Sequence, residues 1–293
     1  MTKIALLVVY NHRYDRNITR VQELYATRFS NIFHLVPFYD GKVEGAEVIP
    51  VYDNSYCFQG YISQAYTHLR EHGFTHYFII ADDMILNPIV NENNLWQTVG
   101  VEEDECFIAA KPACLQQVGY YWAHTYRAIH YRIEQKGVEV RNILPSRPEA
   151  EQCFVNHNLP IGPVAWRAII NLNPKSWVKA LMYIPWNRHL DYPLLACYSD
   201  CFMVTEQAME KFCTYCGAFA ATRLFVELAV PTSLVLAAPK LKFEQDLALK
   251  DGAMWDYTDN SWLDPLNFSL DALYKHFPQD KLFVHPIKLS KWK

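Results

Sequence analysis

Asp82 and Asp83 stand side by side directly after the apolar run Phe78-Ile79-Ile80-Ala81. Two carboxylates held together at the end of a buried strand repel each other unless something positive neutralises them. A divalent cation does so. Mg2+ and Mn2+ take carboxylate oxygens and keep positions open for water and phosphate, so a short acidic motif can hold a nucleotide diphosphate. The same pair also reads as a turn, with Asp82 capping it and Asp83 in solvent. Two further carboxylates interrupt apolar segments. Asp200 lies inside Ala196-Cys197-Tyr198-Ser199-Asp200-Cys201-Phe202-Met203-Val204, where burial would raise its pKa towards that of a useful general base; a helix cap or a buried hydrogen-bond acceptor is the alternative. Glu227 interrupts the helical pattern of Thr222–Ala229, with Arg223 four residues before it for an ion pair along the helix. Cys197-x3-Cys201 and Cys213-x2-Cys216 offer four thiolates at zinc-like spacing. The first pair falls in a strand-like run and the second lacks a glycine knuckle, which favours packed, reduced thiols.

These groups need elements to carry them. Lys3–Tyr10, Asn31–Phe38, Glu47–Tyr52 and His76–Ala81 read as strands, with helices over Asp15–Phe29 and Phe58–His72 between them. That alternation predicts an α/β fold with a mostly parallel sheet flanked by helices. Ligands bind beyond the carboxyl ends of such strands, so Asn11, Asp53 and Asp82-Asp83 fall on one rim. Phe107–Lys111 is a further strand, Gly119–Gln135 an aromatic-rich helix, and Val140–Pro163 an insertion. Leu194–Val204 then reads as one strand, Glu206–Phe212 and Gly217–Ala229 as two helices, Phe268–His276 as a short helix and Leu282–Ile287 as the last strand. No repeat or domain boundary shows. A single domain is expected, with residues 1–111 as one half and residues 112–293 as the other.

The chain has 293 residues, of which 51% are apolar and 20% charged, enough to bury a sizeable core. Its 27 Lys and Arg against 31 Asp and Glu give a net charge of −4, without the positive field that duplex nucleic acid needs. The aromatic share, 15%, exceeds what a core alone asks for and suggests a ring-lined groove. Ile4–Val9 is too short for a signal peptide, and Leu224–Ala238 is too broken to span a bilayer, so a cytosolic chain is expected.

Lys3-Ile4-Ala5-Leu6-Leu7-Val8-Val9-Tyr10-Asn11, the helix Gly60–His72 and Tyr77-Phe78-Ile79-Ile80-Ala81-Asp82-Asp83-Met84 together resemble the nucleotide-sugar half of GT-A-fold glycosyltransferases, the nucleotide-sugar-dependent superfamily that includes enzymes of bacterial surface-polysaccharide synthesis. The resemblance covers residues 3–111. It implies that Ala81-Asp82-Asp83 occupies the place of the Asp-x-Asp metal motif, with Ala81 at the first acidic position. Asp83 then becomes the ligand of Mn2+ or Mg2+, and Asp82 a ribose or sugar contact. The resemblance extends more loosely to the C-terminus, where His285 matches a late histidine ligand and Lys288 a lysine on the diphosphate; a solvated basic tail with Lys281, Lys288, Lys291 and Lys293 is the alternative.

What the resemblance implies is transfer of a sugar from a nucleotide-diphosphate donor to a glycan or glycolipid hydroxyl, as in polysaccharide or lipopolysaccharide synthesis. Tyr10, Asn11 and Asp53 would contact the nucleoside. Asp200 or Glu227 would face the acceptor, with rings from Tyr120–Tyr131 and Trp166–Tyr198 lining its groove. A glycolipid acceptor would bring the Lys- and Trp-containing tail to the inner face of a membrane. A sugar-nucleotidyltransferase is the nearest rival, although Tyr10–Asp15 lacks the Gly-rich loop expected there. A non-catalytic carbohydrate-binding protein of the same fold is the other.

Overall fold

The strand Ile4–Val9 (β1) is apolar and buried at all six positions, as a strand covered on both faces must be. It runs through the middle of a seven-stranded sheet in a computed structural model that describes residues 2–117, 123–164 and 190–293. Ile32–Pro37 (β2) lies parallel beside it, and Glu47–Val51 (β3) parallel beside β2. On its other side His76–Ala81 (β4) is again parallel, with Val9 opposite Ala81. Next in the chain come the short strands Ile85–Leu86 (β5), Cys106–Ile108 (β6), Ala113–Cys114 (β7) and Leu195–Ala196 (β8). Cys201–Thr205 (β9) then inserts antiparallel between β4 and β6, and Leu241–Phe243 (β10) closes the edge parallel to β6. The order β10-β6-β9-β4-β1-β2-β3 makes the sheet mixed and mostly parallel, so the expected α/β class is present. Phe283–Val284 (β11) stays outside it and pairs with β5 instead.

The flanking helices are Asp15–Tyr25 (α1), Gln59–Leu69 (α2), Leu95–Val99 (α3), Ala123–Ala128 (α4), Arg147–Asn156 (α5), Glu206–Ala221 (α6) and Val226–Ala237 (α7). The amphipathic side of α1 buries Ile18, Val21 and Tyr25. Helix α5, inside the predicted insertion, opens with a capping box in which Ser146 and Glu149 exchange bonds. Two buried clusters form, and the partly buried Cys153 and Phe225 pack against both.

Three expectations change. Leu194–Val204 is two strands rather than one. β8 ends at Ala196 and pairs with β7, the Ser199 hydroxyl donates to the Cys197 carbonyl at 2.8 Å, and the chain bends at Asp200 before β9 begins at Cys201. Gly217 does not begin the second helix but sits within α6, which runs on without a break to Ala221. The break falls instead at Thr222-Arg223, where the Thr222 hydroxyl donates to Ala218 O and Arg223 adopts φ 58°. Arg223 thereby leaves the helix that carries Glu227, and the expected ion pair between them is replaced by Arg223 to Asp53 at 3.0 Å. Of the aromatic helix expected over Gly119–Gln135, α4 is the described part; Tyr120, Tyr121, Trp122 and Trp166 lie outside the described residues. Among those described, no helix is long and apolar enough to cross a membrane.

Candidate functional site

From β1 the sheet continues to β2 and β3 on one side, while β4 lies on the other. The chain leaves the carboxyl ends of β1 and β4 in opposite directions, which opens a crevice at the switch point. A pocket of about 190 Å3, partly open to solvent, occupies that crevice. It is smaller than the roughly 300–1,000 Å3 usual for sites that enclose a whole small ligand, so a larger ligand would extend out through the opening. Tyr10 and Asn11 follow β1, Asp82 and Asp83 follow β4, Asp200 precedes β9, and His285 follows β11; all of them line the pocket. Ser55, Phe58, Phe225 and Val226 form much of the remaining wall.

The two aspartates occupy a turn directly after β4, where Met84 N donates to Ala81 O at 3.3 Å, and their side chains part company there. Asp82 turns inward, 5% exposed, and accepts 3.0 Å from Asn17 Nδ2 on α1. Burial pushes its pKa up to about 7; Asn17 opposes the rise, and the Asp83 charge adds to it. Asp83 turns outward to His285, with its Oδ1 3.0 Å from Nε2.

His285 reaches this position along a second ladder. Phe283 pairs with Leu86 and Val284 with Ile85, two residues after Asp83, and Ile287 N donates 2.6 Å to the Asp83 carbonyl. Behind β11 runs the segment Gly252–Met254, whose Met254 N donates to His285 O at 2.7 Å. A Cβ on Gly252 would stand 1.5 Å from Phe283 O, so only glycine lets the two backbones pass. Burial disfavours a charge on His285, but Asp83, Asp200 and Asp251 outweigh it, and its pKa is raised.

Asp200 Oδ2 lies 3.7 Å from the same His285 Nε2. Its side chain is 20% exposed, and this partial burial raises its pKa; His285 and the neighbouring Tyr198 hydroxyl act against the rise. The Asp200 backbone is fixed by Ala81 N, which donates to its carbonyl at 3.0 Å. Glu227 is near enough to feel the Asp200 charge but does not line the pocket; burial, then Asp200, lift its pKa to about 8.

The other sequence candidates divide. Asn11 is exposed at the pocket's mouth. Tyr10 borders the pocket, but its hydroxyl is bonded to His34 Nδ1 at 2.9 Å within the core. Asp53 is engaged elsewhere on the rim: its Oδ1 accepts from Asn54 N at 2.8 Å and from Arg223 Nη1 at 3.0 Å, and it does not line the pocket. Lys288 is exposed and also outside the lining. Tyr131, expected in a groove, is buried and hydrogen-bonded to Thr222 Oγ1 at 2.7 Å. All eight cysteines are free, and among the described residues no group of three or more His, Cys, Asp and Glu is arranged as a metal centre, so the four-thiol zinc arrangement is not formed.

A hard divalent cation remains compatible with the donors at hand. Asp83 and His285 supply one oxygen and one imidazole nitrogen on a common side, and such ions commonly take few protein ligands and complete their shell with phosphates and water. Sequence reasoning passed over Ser55, Phe58, Phe225 and Gly252, whose importance comes from chain crossings that no local pattern encodes. No protein-family model and no curated protein matches this chain.

Proposed function

We propose that the protein is a GT-A-like glycosyltransferase that binds a nucleotide-diphosphate sugar in the switch-point pocket and transfers the sugar to a hydroxyl of a glycan or glycolipid. The observation that carries the reading is the convergence of Asp83, Asp200 and His285 on one pocket whose lining, among the described residues, holds three aspartates and no Lys or Arg. A diphosphate entering alone would meet repulsion there; with a divalent cation it would not. Asp83 and His285 would hold the cation, which when bound would offset the charge on the departing diphosphate.

The protein groups then divide the work. Asp82, held by Asn17, is placed for a hydroxyl of the donor, and its raised pKa keeps it able to donate or accept near neutrality. Asn11 at the mouth is suited to the nucleoside. Asp200, whose burial makes it more basic than an ordinary aspartate, is the carboxylate placed to take a proton from the acceptor hydroxyl. Phe58 and Phe225 form an apolar wall that limits water.

Calorimetry with UDP-, GDP-, CDP- and dTDP-sugars, with and without MnCl2, tests the reading. Binding of at least one that requires manganese is expected. Binding of free glycans with indifference to both nucleotide and metal would instead mark a carbohydrate-binding protein.

A further inference from the structure

Single exposed apolar rings are ordinary on protein surfaces. Trp255 is different in where it stands. Its indole is 69% exposed, yet it meets Tyr198 edge-on at 5.5 Å between ring centroids, and Tyr198 in turn lies 5.4 Å from the imidazole of His285. Three rings thus run in file from solvent to the catalytic cluster. The Trp255 backbone N donates 2.9 Å to Asp259 Oδ2, and the preceding Met254 is tied to the His285 carbonyl, so the outer ring is carried on a segment bonded to the site itself.

The middle ring carries a second, independent observation. Tyr198 is 9% exposed, stacks on Phe283 at 6.1 Å, and has a buried hydroxyl that among the described residues stands in no hydrogen-bond geometry with any group. It is close enough to Asp200 to favour that carboxylate's ionised form, an interaction that falls short of a formed hydrogen bond. A buried phenol with so loose a contact is incompletely satisfied, and a ligand hydroxyl beside Asp200 would complete it.

We infer that Trp255 and Tyr198 form the acceptor subsite: a pyranose ring stacks its C–H face on Trp255, and its reacting hydroxyl is received between the Tyr198 hydroxyl and the Asp200 carboxylate. The inference rests on the glycosyltransferase reading for the donor and adds what it lacks, the chemical class and seat of the acceptor. Indole is a large, flat surface that suits an apolar sugar face, and its polar N–H can remain in water. The expected groove from Tyr120 to Tyr131 is not needed for this contact.

Two readouts separate this subsite from the donor site. Saturation-transfer NMR with a mixture of methyl glucoside, galactoside, mannoside, rhamnoside and N-acetylglucosaminide reports sugar contacts; calorimetry with manganese and UDP, GDP, CDP or dTDP reports the donor end. In the unaltered protein, saturation of the ring C–H protons of at least one glycoside is expected. W255A should weaken that binding about tenfold, the equivalent of about 1.4 kcal/mol, while W255F keeps much of it and Y198F loses part. Manganese–nucleotide affinity should be the same in W255A, W255F and the unaltered protein. Equal glycoside saturation in W255A and the unaltered protein would overturn the subsite, as would absence of any glycoside contact in a protein that binds manganese–nucleotide. Loss of nucleotide binding with Trp255-dependent sugar contacts retained would overturn the donor reading alone.

Discussion

His285 Nε2 sits 3.0 Å from Asp83 Oδ1, and the ladder that brings them together, β11 on β5, begins at the residue after Met84. The C-terminal segment therefore does more than close the fold: among the described residues it delivers the one imidazole that lines the pocket. This dependence can be probed away from the ligand groups. Gly252→Ala would put a methyl group 1.5 Å from Phe283 O, and the clash can be relieved only by moving β11. We expect a loss of about 1–3 kcal/mol, seen as a lowered urea midpoint, together with loss of manganese-dependent donor binding. A variant with reduced stability and unimpaired donor binding would show that His285 is not needed.

Asp200 and Glu227 are close enough for each to feel the other, but only Asp200 faces the pocket. Asp200→Asn is expected to lower the transfer rate by about 10²–10⁴-fold with donor binding retained. Glu227, with its pKa near 8, is mainly protonated at pH 7, so Glu227→Gln should leave the rate at pH 7 within about threefold. Rates measured from pH 6 to 9 check both; a large loss in Glu227→Gln would exchange the two roles.

His34 gives a stability prediction free of the site's ligand chemistry. It is fully buried, accepts from the Tyr10 hydroxyl at Nδ1 and donates from Nε2 to Gln22 Oε1 at 3.0 Å, which describes a neutral ring. Burial lowers its pKa to about 4. The unfolded chain, with a histidine pKa of about 6.5, binds the extra proton first as pH falls. Stability from this group is present above pH 6.5 and is lost progressively towards pH 4, by about 3 kcal/mol in full. Urea midpoints at pH 7.5, 5.5 and 4.5 should fall accordingly, and His34→Gln should flatten that part of the slope. An unchanged slope would place the acid sensitivity elsewhere.

The parallel half of the fold was legible because its strands are long, apolar and bounded by polar stops; His76–Ala81 coincides with β4 from end to end. The carboxylates were legible for the same reason, since each interrupts an apolar run. What local pattern did not carry was the break between β8 and β9, where the chain bends at Asp200 and β8 pairs with β7 instead of continuing in the central sheet. The three-residue strand β10 was equally hidden, because its place comes from β6 rather than from its own composition. Asp53 read as a rim contact on position alone; its partner Arg223 comes into reach only because the chain leaves α6 at φ 58°. Phe225 and Gly252 matter through contacts between distant segments, and neither residue type announces that in sequence.

Asn17 is the side-chain partner that restrains Asp82 beneath the pocket. Asn17→Ala should destabilise the protein by about 1–3 kcal/mol near pH 8, where Asp82 is mostly ionised, and by less near pH 6, where it is protonated. Chemical denaturation at the two pH values checks it; equal losses at both would mean that Asn17 acts through packing alone.

The central claim is that Asp83 and His285 hold a divalent cation against the donor's diphosphate. The most direct measurement is anomalous diffraction from crystals grown with MnCl2 and the nucleotide sugar that binds. A manganese peak bridging Asp83 and His285 to two phosphate oxygens, with the sugar's anomeric carbon towards Asp200, is the predicted result. A diphosphate bound in the pocket with no metal between it and Asp83, or a metal ligated elsewhere, would contradict it.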